Sequence, residues 1–295
     1  MISTIEISIK DAMSQNHISY GGQIIADGSI HRFHINGDKT QSLNGWYVIY
    51  PDGIPCGAFG SWKSGKTHYW SAKSIGTLPI EDQHLLYKKI AAIKQRRLNE
   101  RTRNHALAAD RALKMWSHAR QANNSHPYLI KKNVTALNLR QLNNRLLVPL
   151  VDETGTLLNL QIITPDGSKY FLRGGRVQGL FSQIGKITDN GRLYLCEGWA
   201  TAATIYEITT YPTVAAMNAG NLKATALSLR KKIPTHISII IASDNDRFSQ
   251  NNVGLIKASE AAKAIGANLA IPDFICAHQD CTDFNDLHNC PQNKE

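Results

Sequence analysis

The sequence predicts an α+β N-terminal region, made of a small antiparallel β module and a long basic helix, followed by an α/β domain with a mainly parallel sheet. Three observations support this fold class. Short β-rich segments separated by Gly, Asn and Asp turns fill about the first 75 residues, no Pro or Gly interrupts residues 81–121, and β-rich and helical segments alternate after Gly191. We therefore predict four parts, which span residues 1–78, 79–125, 126–190 and 191–295.

Length and composition indicate a globular protein with one large or two modest domains. The chain has 295 residues, of which 42% are hydrophobic, so it is neither disordered nor a small disulfide-stapled protein. Its longest apolar runs, at residues 146–151 and 237–242, are much shorter than a membrane span, and its first residues do not resemble a leader peptide. Five cysteines without a C-x-x-C pair are expected to be free thiols. We expect a cytoplasmic protein without a membrane partner.

Residues 60–67, GSWKSGKT, match the P-loop pattern G-x-x-x-x-G-K-[ST]. A P-loop needs a buried strand before the glycines and a helix directly after the Lys-Thr pair. Here the preceding residues predict a hairpin with a turn at Asp52-Gly53, and the following residues HYWSAKSIGTLP have no helical period. The segment is therefore predicted to be a turn between antiparallel strands, and nucleotide chemistry is expected elsewhere.

Positive charge is concentrated in the first half of the chain. Residues 1–150 carry a formal charge of +11 and residues 151–295 a charge of −1. The helical segment holds ten Lys and Arg residues between Lys88 and Arg120 but only two acids, which favours a face for nucleic acid over a solvated connector. A solubilising surface is the alternative explanation of the overall charge excess. The predicted DNA-binding residues are Lys94, Arg96, Arg97, Arg101 and Arg103.

Residues 126–190 contain three candidate strands separated by turns at residues 153–155 and 165–167. From Arg192 onwards, four candidate strands alternate with three candidate helices. Such a series predicts parallel strands joined by helical crossovers. The predicted strands are residues 192–196, 213–217, 236–242 and 268–272, and the predicted helices are residues 200–208, 222–232 and 253–266.

Acidic residues follow two of these strands. Glu197 comes directly after the first strand, and Asp244 and Asp246 follow the third. If the two strands are neighbours, the three carboxylates meet at the carboxyl edge of the sheet, where function collects in open α/β folds. Carboxylate oxygens suit Mg²⁺ or Mn²⁺. Each residue also has a structural alternative, because Asp caps helices and Glu-Gly forms ordinary turns.

These motifs resemble a known family. CEGWATAATI at residues 196–205 is similar to the EG-[YW]-ATA segment of TOPRIM-domain primases of the plasmid and phage type, and AMNAGNL, SDND and TDFNDL follow in the order typical of that family. The resemblance continues upstream through HPYLIKKNV and DGSKYFLRGGRVQGLFSQIG, so it covers nearly the whole chain. It implies a TOPRIM catalytic domain in residues 191–295 and a primase N-terminal subdomain in residues 126–190.

The resemblance implies a DNA primase that makes short RNA primers on single-stranded DNA, in replication or conjugative transfer of a plasmid, phage or mobile element. A two-metal site would activate a 3′-hydroxyl for in-line attack on the α-phosphate of an NTP. Glu197, Asp244 and Asp246 are implied as catalytic metal ligands, with Glu197 also as the base. Asp283 and Asp286 are implied as a further metal-binding pair, with helix capping as their alternative. The implied nucleotide- or template-binding residues are Lys169, Arg173, Arg176 and Asn221.

The expected partners are single-stranded DNA, NTPs and a separate replicative helicase, and the expected cofactor is Mg²⁺ or Mn²⁺. Zinc is not expected, because the Cys and His residues near the end of the sequence have a spacing that fits no standard zinc finger. These residues are Cys276, His278, Cys281, His288 and Cys290.

Two other functions stay open. The same carboxylates on a TOPRIM fold suit a nuclease, and a replication accessory protein that binds single-stranded DNA without catalysis needs only the basic half. Several aromatic residues among the basic ones are candidates for stacking on unpaired bases, with core packing as the alternative for each and favoured for Trp116. They are Trp62, Tyr69, Trp70 and Trp116.

Overall fold

An antiparallel sheet early in the chain and a mostly parallel sheet near its end confirm the predicted fold class. Both belong to a computed structural model, which describes residues 2–38, 42–73, 78–188, 191–249 and 251–293, with the side chains of Ile2, Ser3 and Arg97 outside the description. Two units are distinguished, Met1–Glu100 and Arg101–Glu295. None of the described helices is long and apolar enough to cross a membrane.

The first unit combines one helix with a four-stranded antiparallel sheet. Helix α1 (Ile2–Gln15) buries Ile9 and Met13, which lie one helical turn apart, against Tyr47, Ile49 and Phe59 of the sheet. The sheet order is β1-β2-β3-β4, with β1 at His31–Phe33, β2 at Gly45–Tyr50, β3 at Cys56–Ser61 and β4 at Thr67–Ser71.

Helix α1 was not predicted, because the first 75 residues were interpreted as β-rich throughout. Its isoleucines favour strands by propensity, whereas burial of Ile9 and Met13 on one face favours the helix. Tertiary packing therefore decided the conformation of this segment.

The GSWKSGKT segment is a turn, as predicted. It joins β3 to β4, which are antiparallel neighbours, and the Gly65 amide donates a hydrogen bond to the Ser61 carbonyl at 2.9 Å. Gly65 has a φ of 69°, a left-handed conformation that glycine adopts without a steric penalty. Since Thr67 begins a strand and not a helix, no helix N-terminus faces the glycines.

Helix α2 (Ile80–His118) is one continuous helix, in agreement with the long basic helix predicted from the sequence. Its first part belongs to the first unit, where Leu86 is buried with Cys56 and Leu78. Its last part belongs to the second unit, where Ala112 is buried with Leu147 and Leu160.

The second unit begins with a five-stranded antiparallel sheet in the order β5-β6-β7-β8-β9. Helix α3 (Pro127–Lys132) starts after His126, whose ring accepts a hydrogen bond from the Tyr128 amide, so His126 is a helix cap. The strands are β5 (Arg120–Gln121), β6 (Arg140–Leu142), β7 (Arg145–Val151), β8 (Leu157–Ile163) and β9 (Lys169–Phe171).

The second sheet of this unit has the order β10-β12-β11-β13-β14, in which β10 is antiparallel to β12 and the other pairs are parallel. The predicted βα series is present, and β10 is an additional antiparallel edge strand. The strands are β10 (Ser182–Ile184), β11 (Arg192–Cys196), β12 (Thr213–Ala215), β13 (Ser238–Ala242) and β14 (Asn268–Ala270). The helices are α4 (Trp199–Thr209), α5 (Leu222–Lys232), α6 (Val253–Ile265) and α7 (Phe284–Asn289).

Alternate residues of β11 supply two cores, as expected for a sheet covered on both faces. Leu193 and Leu195 pack in a core that includes α5 and α6 residues such as Leu229 and Ala261. Cys196 packs in the other core, with Ala203 of α4. This layering holds the carboxyl ends of β11 and β13 side by side at one edge.

Candidate active site

The ends of β11 and β13 lie side by side, which is the condition on which the predicted grouping of the acids depended. The two strands are parallel neighbours, and Cys196 pairs with Ala242 in register. Glu197 follows Cys196 directly, and Asp244 lies two residues beyond Ala242. Both acids are partly buried, and they lie at the carboxyl edge of the sheet, where ligands bind in open α/β folds.

Asp244 has an electrostatic environment unfavourable to its charge. Burial, followed by repulsion from Glu197, Asp283, Asp246 and Asp286, raises the pKa of Asp244 to about 8. Its Oδ1 atom is buried and has no hydrogen-bond partner among the described residues. A buried, unpaired carboxylate oxygen among other carboxylates is costly unless a cation compensates it.

Glu197 is also held in an unfavourable environment, but it has one hydrogen-bond donor. Burial and the charges of Asp246 and Asp283 raise the pKa of Glu197, while a hydrogen bond from the Ala219 amide and the charge of Lys169 lower it. Its backbone carbonyl accepts a hydrogen bond from the Met217 amide at 2.7 Å. Met217 has a φ of 74°, a sparsely populated conformation for a non-glycine residue.

The Asp244–Asp246 loop rests on the start of α6. The Asp246 carboxylate accepts a hydrogen bond from the Gly254 amide at 3.2 Å, and the Asp246 amide donates to the Asn252 side chain at 2.9 Å. A Cβ atom at Gly254 would lie 2.8 Å from the Cβ of Asp244, closer than real side chains approach. Glycine at position 254 therefore allows the helix to support the acidic loop at close range.

Asp283 and Asp286 lie near Asp244, and Asp283 is also a helix cap. Asp283 caps α7, because its carboxylate accepts the Asp286 amide at 2.9 Å, and it also accepts the Thr201 hydroxyl at 2.9 Å. Both acids contribute to the raised pKa of Asp244, so they belong to the same acidic group. Helix capping and proximity to Asp244 are therefore compatible.

Lys132 had no role predicted from the sequence. Its ammonium group forms an ion pair with Asp286 at 3.0 Å. Burial lowers the pKa of Lys132, but the charges of Asp283 and Asp286 and the hydrogen bond to Asp286 outweigh burial, so the pKa is raised. Only the fold could reveal this contact, since the two partners are 154 positions apart.

The four residues proposed for nucleotide or template binding lie in different surroundings. Burial, followed by the charge of Lys132, lowers the pKa of Lys169. The charges of Asp283, Asp244 and Glu197 oppose this shift, so Lys169 lies near the acidic group. Arg173 is exposed, and its carbonyl accepts a hydrogen bond from the Arg111 side chain. The Arg176 side chain donates to the Gln178 carbonyl at 2.8 Å.

Asn221 differs from the other three because its side chain is used within the fold. It is 3% exposed. Its amide oxygen accepts the Gly179 amide at 2.7 Å, and its amide nitrogen donates to the carbonyls of Leu180 and Ala216 at 2.8 and 2.7 Å. Because both ends of this buried amide are occupied, the Asn221 side chain joins segments of the chain, and its role in nucleotide or template binding stays a prediction.

Basic side chains from separate segments converge beside Arg176. Arg101, Arg176 and Lys231 line an open pocket of about 320 Å³. Partial burial, followed by the positive charges of Arg101 and Arg176, lowers the pKa of His105. Lys231 was not predicted, because nothing in the sequence of α5 indicates which side chains face Arg176.

The predicted DNA-binding residues lie on α2 and are exposed where they are described. Lys94, Arg96, Arg101 and Arg103 are solvent-exposed, whereas the side chain of Arg97 is outside the described residues. Lys94 lies over the ring of Tyr69, 4.6 Å from its centroid. Within the described part of the chain, no carboxylate forms a salt bridge with these four cations.

The aromatic candidates divide by exposure. Trp62 and Tyr69 are 53% and 50% exposed. Trp70 is buried, with its ring nitrogen donating to the Ser8 hydroxyl at 3.1 Å. Trp116 packs in the α2–β7 core and against the Arg140 guanidinium, as favoured from the sequence.

The irregular spacing of the Cys and His residues in the sequence does not exclude a zinc site. The ligand atoms of Cys276, His278, Cys281 and Cys290 all lie within 4.8 Å of one another. The expectation of no zinc was based on distance along the chain, whereas folding brings the fourth residue, Cys290, back to the first three. Of the five residues considered from the sequence, His288 is not in this group.

Comparison with known proteins identifies a matching domain family and two similar proteins. The Toprim domain family matches residues 192–291. Two proteins named DNA primase TraC, both from Escherichia coli, are 33% and 31% identical to the chain over 264 residues. Each match covers 86% of this chain, which spans 25% and 18% of the length of these relatives.

A solved structure that matches part of the chain is the primase fragment of the bacteriophage T7 primase-helicase protein. It is 14% identical, with a TM-score of 0.42, and the match covers 58% of this chain and 74% of that one. The match to the Toprim family and the two relatives named DNA primase TraC confirm the resemblance to TOPRIM-domain primases of the plasmid type that the sequence motifs indicated. Residues 192–291 match the Toprim domain.

Proposed function

We propose that this protein is a DNA primase that synthesises short RNA primers on single-stranded DNA, in replication or conjugative transfer of a plasmid, phage or mobile element. The observation that carries the proposal is the meeting of Glu197 and Asp244 at the ends of adjacent parallel strands, in one electrostatic group with Asp246 and Asp283. The similarity to proteins named DNA primase supports the same activity. Because the chain spans a quarter or less of these relatives, its activity and partners are proposals.

The side chains of this group fit a divalent cation of the magnesium type. Their donor atoms are carboxylate oxygens, which Mg²⁺ and Mn²⁺ prefer, and the buried Oδ1 of Asp244 lacks any other partner among the described residues. Glu197, Asp244 and Asp246 would hold the metal ions, with Asp283 and Asp286 close by. When bound, such ions would activate the 3′-hydroxyl and stabilise the charge that develops on the phosphates.

The chain's own residues would bind and orient the substrates. Glu197, whose pKa is raised, is suited to accept the proton of the 3′-hydroxyl at its carboxylate. Lys169 lies in the field of the acids and would contact the NTP phosphates, while Arg173 and Arg176 would contact nucleotide or template phosphates. The exposed cations of α2 would hold the template, and action beside a separate helicase stays a prediction.

A priming assay tests the proposal. Purified protein is incubated with circular single-stranded DNA, labelled NTPs and Mg²⁺ or Mn²⁺, and products are resolved on a sequencing gel. We expect short RNA from the wild type and a loss of at least about 100-fold in Glu197→Gln, the lower end of the contribution of a general base. The Asp244→Asn, Asp246→Asn double variant should be inactive.

Glu260→Gln is the matched control, because Glu260 is an exposed acid of the same domain that pairs only with Lys257 among the described residues. It should prime like the wild type. Degradation of the template by the wild type, abolished in the Glu197 variant, would establish a nuclease instead. DNA binding without any product under either metal would support the accessory function.

A further inference from the structure

Four side chains with zinc-binding atoms converge outside the acidic site. The Sγ atoms of Cys276, Cys281 and Cys290 and a ring nitrogen of His278 lie within 4.8 Å of one another. The three cysteines are 4%, 7% and 6% exposed, and they form a small core with Phe274 and the partly buried Leu287. His278 is exposed and borders the group on its solvent side. All three cysteines are free thiols.

The separations of the four ligand atoms are compatible with a tetrahedral site. A zinc ion with Zn–S distances near 2.3 Å places its sulfur ligands about 3.8 Å apart, so an upper limit of 4.8 Å requires only a small contraction. The His278 Nδ1 atom is already 3.5 Å from the Cys290 Sγ. Three thiolates and one imidazole form a closed ligand set typical of structural zinc, and soft thiolates select zinc over magnesium.

Neighbouring donors support a set of ionised thiols. The Arg247 guanidinium lies 3.6 Å from the Cys276 Sγ and also donates to the carbonyls of Cys276 and His278, at 2.7 and 3.3 Å. The Asn293 side chain donates to the same sulfur at 3.7 Å. Arg247 would balance the single negative charge of Zn²⁺ with three thiolates, as outer-shell groups of metal sites do.

We propose that Cys276, His278, Cys281 and Cys290 bind one structural Zn²⁺ ion. This ion would join the two ends of the segment that carries Thr282 and Asp283. The Thr282 carbonyl accepts a hydrogen bond from the Asn245 amide at 2.7 Å, so the same segment is attached to the loop of Asp244 and Asp246. The zinc ion therefore holds in place a part of the acidic site without taking part in its chemistry.

The first test is the metal content of the full chain, purified without chelators and with magnesium present. Mass spectrometry of the elements should give one zinc per chain. His278→Ala should weaken zinc binding by more than about 100-fold, beyond the 10- to 100-fold effect of losing an outer-shell group. His278→Cys restores a four-ligand set and should retain the metal.

His288→Ala is the matched control, because His288 is an exposed histidine ten residues along the same segment but outside the cluster. It should retain a full complement of zinc, as should Cys56→Ala, which removes a buried thiol of the first unit. Zinc that persists in both His278→Ala and Cys290→Ser would lie elsewhere and would overturn the proposal.

A second measurement needs no variant and so avoids any failure of folding. Replacement of the bound metal by Co²⁺ in the wild-type chain should give the intense visible absorption of tetrahedral thiolate coordination. A wild-type chain that carries no zinc and gives no such spectrum, or that shows a disulfide among these cysteines by mass spectrometry of non-reduced peptides, would overturn the site. These readouts do not depend on priming, so the two proposals can fail separately.

Discussion

At the scale of the residue, Asp244 lies in an environment that is unfavourable to its ionised form. Its carboxylate is partly buried among Glu197, Asp246, Asp283 and Asp286, and one of its oxygens lacks a partner among the described residues. The resulting pKa of about 8 means that folding disfavours the charged form of this residue at neutral pH. Repulsion of this kind is common where a fold prepares a site for a cation.

Replacing Asp244 by Asn should therefore stabilise the metal-free protein. At neutral pH folding keeps Asp244 largely protonated, which costs free energy because the same group is ionised in the unfolded chain. Asparagine is neutral without this cost, and its amide can donate to the neighbouring carboxylates. We expect the melting temperature in EDTA to rise by about 2–4 °C, equivalent to about 1 kcal/mol for a unit of this size. The stabilisation that Mg²⁺ or Mn²⁺ gives the wild type should be lost in the same variant.

Asp11→Asn is the control for this comparison, because Asp11 is an exposed acid on α1. Its melting temperature should match that of the wild type with or without metal. A lower melting temperature of Asp244→Asn in EDTA would show that Asp244 contributes to the fold and does not oppose it.

At the scale of the secondary-structure element, α2 combines buried residues near its ends with an exposed, basic centre. Leu86 and Ala112, which lie near its two ends, are buried in separate cores. The described side chains of its central residues, 94–103, are exposed, and the side chain of Arg97 is outside the described residues. No salt bridge offsets the described central cations. An exposed, unpaired row of cations is what a polyanion requires.

Neutralising the four described cations of this stretch to Gln should weaken binding to single-stranded DNA and reduce its dependence on salt. The slope of log K against log salt should become shallower by up to about 3, because each phosphate contact on a single strand contributes about 0.7. Fluorescence anisotropy over a range of salt concentrations measures this slope. The residues are Lys94, Arg96, Arg101 and Arg103.

A second set of four exposed cations controls for net charge alone. Its neutralisation should leave the slope nearly unchanged, and equal effects of the two sets would attribute binding to net charge and not to α2. The control residues are Arg145, Lys186, Lys232 and Lys263.

At the scale of the whole molecule, the two units have separate hydrophobic cores. The core that contains Ile49 and Phe59 lies entirely within Met1–Glu100, and the core that contains Leu229 lies within Arg101–Glu295. Units with their own cores are expected to unfold as separate cooperative transitions.

Calorimetry should accordingly show two transitions that respond to different substitutions. Ile49→Ala, at a fully buried position, should lower one transition, and Leu229→Ala should lower the other. Each cavity should cost about 2–5 kcal/mol. If either substitution shifts both transitions equally, the chain unfolds as one unit.

Local patterns in the sequence were sufficient for much of the second unit. Apolar runs and helical periods account for two strands, at 192–196 and 238–242, and for the helices between the strands of this sheet. Each of these patterns is complete within a few residues. Glu197, Asp244 and Asp246 could be grouped from the sequence for the same reason, since parallel neighbouring strands end at a common edge.

Contacts between distant residues were decided by the tertiary structure. Helix α1 formed against its β propensity because Ile9 and Met13 are buried by the sheet, and Asn221 became a buried connection between segments. Lys132 forms an ion pair with Asp286, which is 154 positions away in the sequence. Cys290 lies close to Cys276, His278 and Cys281 despite an irregular spacing. The sequence alone determined which residues end the strands, because that depends on local periodicity; the structure decided which distant side chains share an electrostatic field or a metal-binding geometry, because that depends on packing.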